Sequence, residues 1–462
     1  MTKIIPPSFL RQLSSDEYAP LPLRETDLRA IDRTDDLLAR AVRAHGPTLP
    51  SRLATAAGLR AINAEAGERF YDVPDDAVAD EETARHAFAS TGPVIDVQTH
   101  FMAAHCVRAG GPANMEAMYR ALMPDWWREL DDLTTLSLDD YIRNVFLETE
   151  TAVAVLTSGP GLDDSRNLFN HEIGATRALI DRFGGTGRLL NHCVVHADQP
   201  QEIEAMEYWR DTFKPVGWKV YTPGRVTADA DGNFQFAHGW MLDDERFGLP
   251  FLERARNLGV PLICAHKGIS LAVDNGSPRD IGPAAKAFPD LAFVVYHSGY
   301  ELPWSAPAEG PFTEETAHLG INRLIASARA AGIGKGGNIF PELGTTWFSV
   351  IRRPEEAAHI LGKLIAWFGE DNVIWGSDSA WYGSAQPLVD AFRVFQIPDW
   401  MCDRFGYAKL TDQVRNKIAG ENAARVYGID LPEAAARAQA DDLAWARALL
   451  ADYRANGFPA LD

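Results

Sequence analysis

Gln98 and His100 stand two residues apart at the end of the short apolar run Val94-Ile-Asp-Val97. In a strand, residues i and i+2 point to the same face, so an amide oxygen and an imidazole can converge on one point. Both are metal-ligating types. Further polar residues close other apolar runs in the same way. His196 ends Arg188–Val195, and Lys219 and Tyr221 lie in Gly217–Tyr221. His266 and Lys267 end Pro261–Ala265, and His297 ends Leu291–Tyr296. Glu342 lies near the end of Asn338–Leu343, and Asp378 follows Val373–Trp375 in Trp375-Gly-Ser-Asp378. Imidazoles and carboxylates sorted to strand ends imply acid–base chemistry around a bound cation.

The elements that must position them form a rhythm. With Ala152–Thr157 there are eight short apolar strands. Between them lie amphipathic helical patterns, among them Pro200–Trp209, Phe247–Leu258, Thr316–Ala331 and Pro354–Phe368. Such alternation reads as parallel βαβ units. The expected fold is α/β, a (β/α)8 TIM-type barrel over 91–430, whose chemistry sits at the carboxyl ends of its strands. A doubly wound open sheet is the alternative, weakened because no GxGxxG or P-loop follows a strand. Residues 1–90 read as a helical N-terminal arm, with helices over Asp27–His45 and Ser51–Arg69. Asn422–Tyr427 is expected to close the barrel, and Leu431–Asn456, within a C-terminal segment 431–462, reads as one long helix.

Each polar residue has a structural reading as well. His45 and His86, in the arm, and His171, His318 and His359, on helical patterns, are expected at the surface. His105 reads as a loop residue, His238 lies in a Gly-rich loop, and Cys193 and Cys264 read as packing rather than nucleophiles. Lys219 is expected either to bind an anionic group of the substrate or to pair with Glu342. Phe101, Tyr221, Tyr300, Trp304, Trp347 and Trp381 are candidate walls for a planar ligand.

Composition narrows the function. The net charge is −20, which repels phosphate backbones and argues against nucleic acid. The 4 cysteines, Cys106, Cys193, Cys264 and Cys402, form no CxxC pair, so neither a disulfide framework nor a zinc ribbon is expected. No run reaches the roughly 20 apolar residues of a membrane span, and the N-terminus lacks an apolar run of signal-peptide length. A cytoplasmic protein acting on a small molecule, without membrane partners and as a homodimer or higher homo-oligomer, is the expectation.

Four stretches together resemble the amidohydrolase superfamily, in its branch containing aminocarboxymuconate semialdehyde decarboxylase. They are Val94-Ile-Asp-Val-Gln-Thr-His100, Gly259-Val-Pro-Leu-Ile-Cys-Ala-His266, Phe288-Pro-Asp-Leu-Ala-Phe-Val-Val-Tyr-His297 and Val373-Ile-Trp-Gly-Ser-Asp378. The closing Gly420-Glu-Asn-Ala-Ala-Arg425 also fits, and the resemblance spans about residues 92–430. It implies His100, His266 and Asp378 as ligands of one divalent metal, Zn2+ or Mn2+, with His297 acting on the substrate. The chain departs from the family pattern at Gln98, where that pattern has His or Glu; an amide oxygen is a neutral, weaker donor.

Such a set suits hydrolysis of a small anionic or aromatic acid derivative by metal-activated water. Asp378 would take and pass on the proton, and His297 would donate to the developing oxyanion. The resemblance equally implies non-oxidative decarboxylation or hydration, with Glu301 four residues after His297 as a further acid. A lesser alternative is a non-catalytic barrel whose metal site is impaired by Gln98. Lys219, His196, Tyr221, Glu301 and Trp381 are the candidate substrate-binding residues.

Overall fold

The computed structural model describes residues 6–13, 15, 21–45, 51–89, 92–103, 105, 136–159, 166–185, 187–228, 234–269, 274–302, 307–379 and 381–456. Seven parallel strands form one curled sheet. They are β1 (Val94–Thr99), β2 (Thr151–Leu156), β3 (Leu189–Val194), β4 (Gly217–Tyr221), β7 (Leu262–His266), β8 (Ala292–Tyr296) and β9 (Ile339–Pro341), paired in that order. Every residue of β1, β2, β4 and β7 is buried, as expected when side chains meet the barrel interior on one face and helices on the other.

The expected eighth strand departs from the regular pattern. Residues 373–379 close the ring through isolated bridges, Ile374 beside Glu342 and Ser379 beside Thr99. Ile374 N donates to Pro341 O (2.9 Å), and Asp378 N to Gln98 O (3.0 Å). A continuous strand is broken by the turn at Asp378, where φ is 60°. The Asp96 side chain supplies a bond the ladder lacks, accepting from Ser377 N at 2.9 Å.

An antiparallel hairpin of β5 (Arg225–Ala228) and β6 (Phe234–Ala237) follows β4, and the strand reading above omits it. The sequence signal is Asp231-Gly232 between two short alternating runs.

The helices mostly fall where periodicity puts them, with Pro354–Phe368 matching residue for residue. The expected Thr316 helix begins at Gly320, because Thr313 and Thr316 bond each other's backbone and hydroxyls as a turn. The C-terminal helix is two, Leu431–Ala440 and Asp442–Asn456. Asp441 is extended at the break, and its carboxylate caps Ala444 N (2.8 Å) and pairs with buried Arg188. Arg188 in turn donates to Ala152 O (2.5 Å) and Thr151 O (3.0 Å), fastening the tail to the start of β2.

The arm shares the barrel's core: Phe9, Leu10, Leu59 and Tyr71 belong to one apolar cluster with Trp347, Val350, Phe392 and Phe395. The Tyr71 hydroxyl donates to Ile351 O at 2.8 Å. Among the described residues no helix is long and apolar enough to cross a membrane.

Candidate active site

The carboxyl ends of β1, β7, β8 and the closing segment bring five side chains together. His100 Nε2 lies 3.0 Å from Asp378 Oδ1. Gln98 Nε2 donates to the same oxygen at 2.9 Å and lies 3.4 Å from His297 Nε2. His297 Nε2 is 3.2 Å from His266 Nδ1. The polar groups thus run His100–Asp378–Gln98–His297–His266 without interruption. All five are at least 96% buried, because none exceeds 4% exposure.

The backbone is strained to aim them. His297, Ser298, Thr345 and Asp378 all have φ between 52° and 63°, a region L-residues rarely occupy. The strain is held by bonds that reach the strand ends from neighbouring loops. Thr345 Oγ1 donates to Asp378 Oδ2 and meets the Tyr382 hydroxyl at 2.6 Å. Thr346 Oγ1 donates to His297 O (2.9 Å), and Ser298 Oγ to Glu342 O (2.7 Å). Gly376 is required by close approach: a Cβ there would sit 1.8 Å from Glu342 Oε1 and 3.1 Å from Gln98 Cβ.

The protonation pattern follows from these contacts. Burial alone would raise the Asp378 carboxyl, but the His100 hydrogen bond, the imidazoles and Thr345 outweigh it and hold the group well below the carboxylate range. Burial, then the Lys219 charge, keeps His266 neutral. His297 Nδ1 lies 2.7 Å from Gly344 O, and a carbonyl only accepts, so Nδ1 carries the proton. Nε2 of the same ring faces His266 and Gln98.

Beneath the run, Lys219 Nζ lies 3.5 Å from the Tyr296 ring centre and 4.6 Å from that of Tyr221. Tyr221 stacks on His266 with ring centres 4.8 Å apart, and Trp381 lies tilted 6.1 Å from His100. Glu342 accepts from His297 N (3.1 Å) and Gly344 N (2.7 Å), yet burial and the Asp378 charge push its carboxyl up to about 8. Asp96, buried likewise, is pushed up to about 7. Asp96 was passed over as one polar residue inside the apolar run of β1. Thr345 and Tyr382 were not found from the sequence, since hydroxyls in loops carry no periodic signal. Nor was His192, buried inside the barrel against Cys264 Sγ (3.4 Å) and the Tyr296 hydroxyl (3.3 Å), where burial first and then Lys219 lower it to about 3. Its signal is strand alternation with Val194.

Other expected site residues are engaged elsewhere. His196 is buried in a cluster of its own, Nδ1 lying 2.9 Å from Arg166 and 3.2 Å from Glu202. The Glu301 carboxylate pairs with Arg323 (3.2 Å) rather than with the histidines. Tyr300 donates to Glu356 (3.1 Å) and Trp347 to Leu388 O (2.9 Å), so both are core rather than pocket wall. Phe101 packs on Tyr141, and Trp304 and Cys106 lie outside the described residues. His359 is buried, not at the surface, with Nδ1 3.0 Å from the Tyr407 hydroxyl; burial lowers it to about 4. His171, His318 and His238 are exposed, His318 in a turn.

Burial would raise Glu202, but its bond to His196 and the Arg166 charge hold it at about 2, well below the ordinary 4.5 of a glutamate. A depressed carboxyl contributes stability above its unfolded value and loses it as pH falls toward the folded one. Glu202→Gln should therefore lower unfolding free energy at pH 7 by on the order of 2–3 kcal/mol. Urea titrations of both proteins should show that gap shrinking between pH 4.5 and about 2; a constant gap would mean the loss is one of packing.

The residue types suit a divalent cation. Two imidazoles and an ionised carboxylate are the donors Zn2+ and Mn2+ take. Gln98 Oε1 is a buried oxygen with no hydrogen-bond partner among the described residues, an acceptor a cation would satisfy. The donors nevertheless meet in pairs, and among the described residues no three His, Cys, Asp or Glu side chains already surround one point. Gln98 links the two pairs, so the donor set spans both only when its amide is included.

No functionally curated protein matches the chain. An uncharacterised TIM-barrel protein from Bordetella bronchiseptica is 14% identical, with TM-score 0.46 over 74% of this chain and 99% of that one. A 2,6-dihydroxybenzoate decarboxylase complexed with 2,6-dihydroxybenzoate is 12% identical, with TM-score 0.41 over 73% and 100%. A dihydroxybenzoic acid decarboxylase from Polaromonas sp. JS666, with bound manganese and 2-nitroresorcinol, is 12% identical, with TM-score 0.38 over 74% and 99%. The family model described as Amidohydrolase matches residues 95–429, from the second residue of β1 to just past the helix Asn422–Tyr427. With β1, β7, β8 and the closing turn all inside that match, the chain belongs to the amidohydrolase family.

Proposed function

We propose that this chain is a metal-dependent hydrolase of a small anionic or aromatic acid derivative. The observation that carries the reading is the Asp378 carboxylate, bonded by Gln98, Thr345 and His100 at the strand ends and joined through Gln98 to a histidine pair. His100, His266, Asp378 and the Gln98 oxygen would hold the ion, which supplies Lewis acidity toward water and a carbonyl. The chain's own groups do the rest. Asp378 accepts the proton of the attacking water, and His297 Nε2 is placed to relay a proton to the leaving group. Lys219 gives the floor a positive charge for an acid substrate, and Tyr221 and Trp381 offer flat walls. Decarboxylation needs an acid to protonate carbon, and Asp378, held ionised by its three donors, does not supply one.

The test is turnover in H2 18O by protein loaded with Zn2+ or Mn2+, using esters, amides and lactones of aromatic acids beside hydroxybenzoates. One 18O in the product is expected. Release of CO2 without 18O would replace hydrolysis by decarboxylation. No turnover together with no metal uptake would make the barrel non-catalytic.

Gln98→His bears on the ligand set. It exchanges a neutral amide for imidazole, and competition with a chelator should show equal or tighter metal binding. A large fall in affinity would mean that the amide is needed for its bonds to Asp378 and His297.

A further inference from the structure

One turn just past β9, Gly344-Thr345-Thr346, holds both Asp378 and His297. Gly344 O accepts from His297 Nδ1 (2.7 Å), and Thr346 Oγ1 donates to His297 O (2.9 Å). Between these two contacts, Thr345 Oγ1 donates to Asp378 Oδ2. The backbone doubles back within three residues to do this. Thr346 N donates to Gly344 O at 2.5 Å, and Thr345 at the centre has φ 52° and ψ −42°. That is a γ-turn of the rare, strained hand, here centred on a β-branched residue. Such strain persists only where surrounding bonds over-determine it.

The hydroxyl protons have one arrangement. Thr345 has a single hydroxyl proton and a carboxylate only accepts, so that proton lies toward Asp378 Oδ2. The Tyr382 hydroxyl, 2.6 Å from Thr345 Oγ1, is then the donor of that pair. Tyr382 is fixed in turn, 1% exposed and with its ring stacked on Phe348 at 3.8 Å between centres. A chain Tyr382–Thr345–Asp378 therefore ends on Oδ2, while Oδ1 faces Gln98 Nε2 and His100 Nε2. We propose that Thr345, backed by Tyr382, is the positioning residue of this carboxylate: it ties Oδ2 to the wall and leaves Oδ1 as the ligating and reacting oxygen. The inference rests on Asp378 being a metal ligand and base. Thr345 is not itself a donor to substrate, because its one proton is committed to Asp378. Partners that orient a ligating carboxylate set metal affinity or activity by about 10–100-fold.

Competition between the full chain and a chromogenic chelator for Zn2+ tests this without a known substrate. Thr345→Val keeps the branched shape, removes the hydroxyl and should weaken Zn2+ binding by about 10–100-fold. Thr345→Ser keeps the hydroxyl and should restore binding to nearly that of the parent. Tyr382→Phe leaves the strained turn intact, serves should Thr345→Val not fold, and should weaken binding about tenfold. Thr345→Val with Tyr382→Phe should be no worse than Thr345→Val alone, since the tyrosine acts through the threonine. On the substrate from the 18O screen, kcat should fall in Thr345→Val with KM little changed. Parent-like affinity in Thr345→Val or Tyr382→Phe, a Thr345→Ser variant as weak as Thr345→Val, or multiplying losses in the double variant would overturn the inference. Asp378→Asn keeps the two levels apart. If the parent takes up no Zn2+, or Asp378→Asn binds it as the parent does, the ligand role of Asp378 has failed. If Asp378→Asn binds weakly and Thr345→Val does not, only the role given to Thr345 has.

Discussion

Asp378→Asn is expected to reduce turnover by about a hundred- to ten-thousand-fold, the range for loss of a positioned general base. The amide matches the carboxylate in shape but not in bonding. Asp378 accepts from Gln98 Nε2 and Thr345 Oγ1 and faces His100 Nε2. An amide nitrogen in place of Oδ1 meets the Gln98 Nε2 donor with a donor, and in place of Oδ2 it forces the Thr345 hydroxyl to turn and accept. His266→Ala should be as damaging, since it removes a neutral imidazole, one of the proposed metal ligands, from the end of the run. Exposed His86 is the control, and His86→Ala should leave kcat/KM and metal content unchanged. Kinetics on the substrate from the 18O screen, together with metal content of each variant, check the set. Equal loss in all three would show that the histidines and carboxylate at the strand ends are not the reacting centre.

The largest stability effect is expected just beyond β7. Lys267 Nζ and Asp280 Oδ2 are 2.7 Å apart with both side chains fully buried. Asp280 also accepts from Leu242 N (2.7 Å), so the pair fixes the loop after the hairpin. Among the described residues, Asp280→Ala leaves the ammonium with only the Asn275 carbonyl as hydrogen-bond partner, at 3.2 Å. Breaking such a pair on one side costs about 3–5 kcal/mol, whereas replacing both partners by apolar groups is often neutral. Urea unfolding should show that loss for Asp280→Ala and recovery of most of it in Lys267→Met with Asp280→Leu. If the double variant is no better than the single, the Leu242 bond rather than the buried charge sets the loss.

The strands were readable because both faces of a parallel strand are dry, which leaves continuous runs such as Ala152-Val-Ala-Val-Leu156. The polar residues that end those runs were readable for the same reason, since a histidine after Leu262-Ile-Cys-Ala stands out. What escaped depends on contacts distant in sequence. The break at Asp441 answers to Arg188, and the burial of His359 to Phe405 and Tyr407. The irregular closing segment is set by Asp96 taking a backbone bond. Glu301 follows His297 at a suggestive spacing, but Arg323 on the next helix claims it. Thr345 gave no sign, because its importance is one hydroxyl directed by a strained turn.

The ring's closure has a consequence for how the protein is made. Gln98 and Asp378 are 280 residues apart, and Arg188 and Asp441 253 apart. At about 5–20 residues per second, the ribosome needs tens of seconds between the first member of such a pair and the second. During that interval the nascent barrel has an open edge at β1 and a guanidinium awaiting its counter-ion. The polar run can therefore assemble only late, after Asp378 has been synthesised.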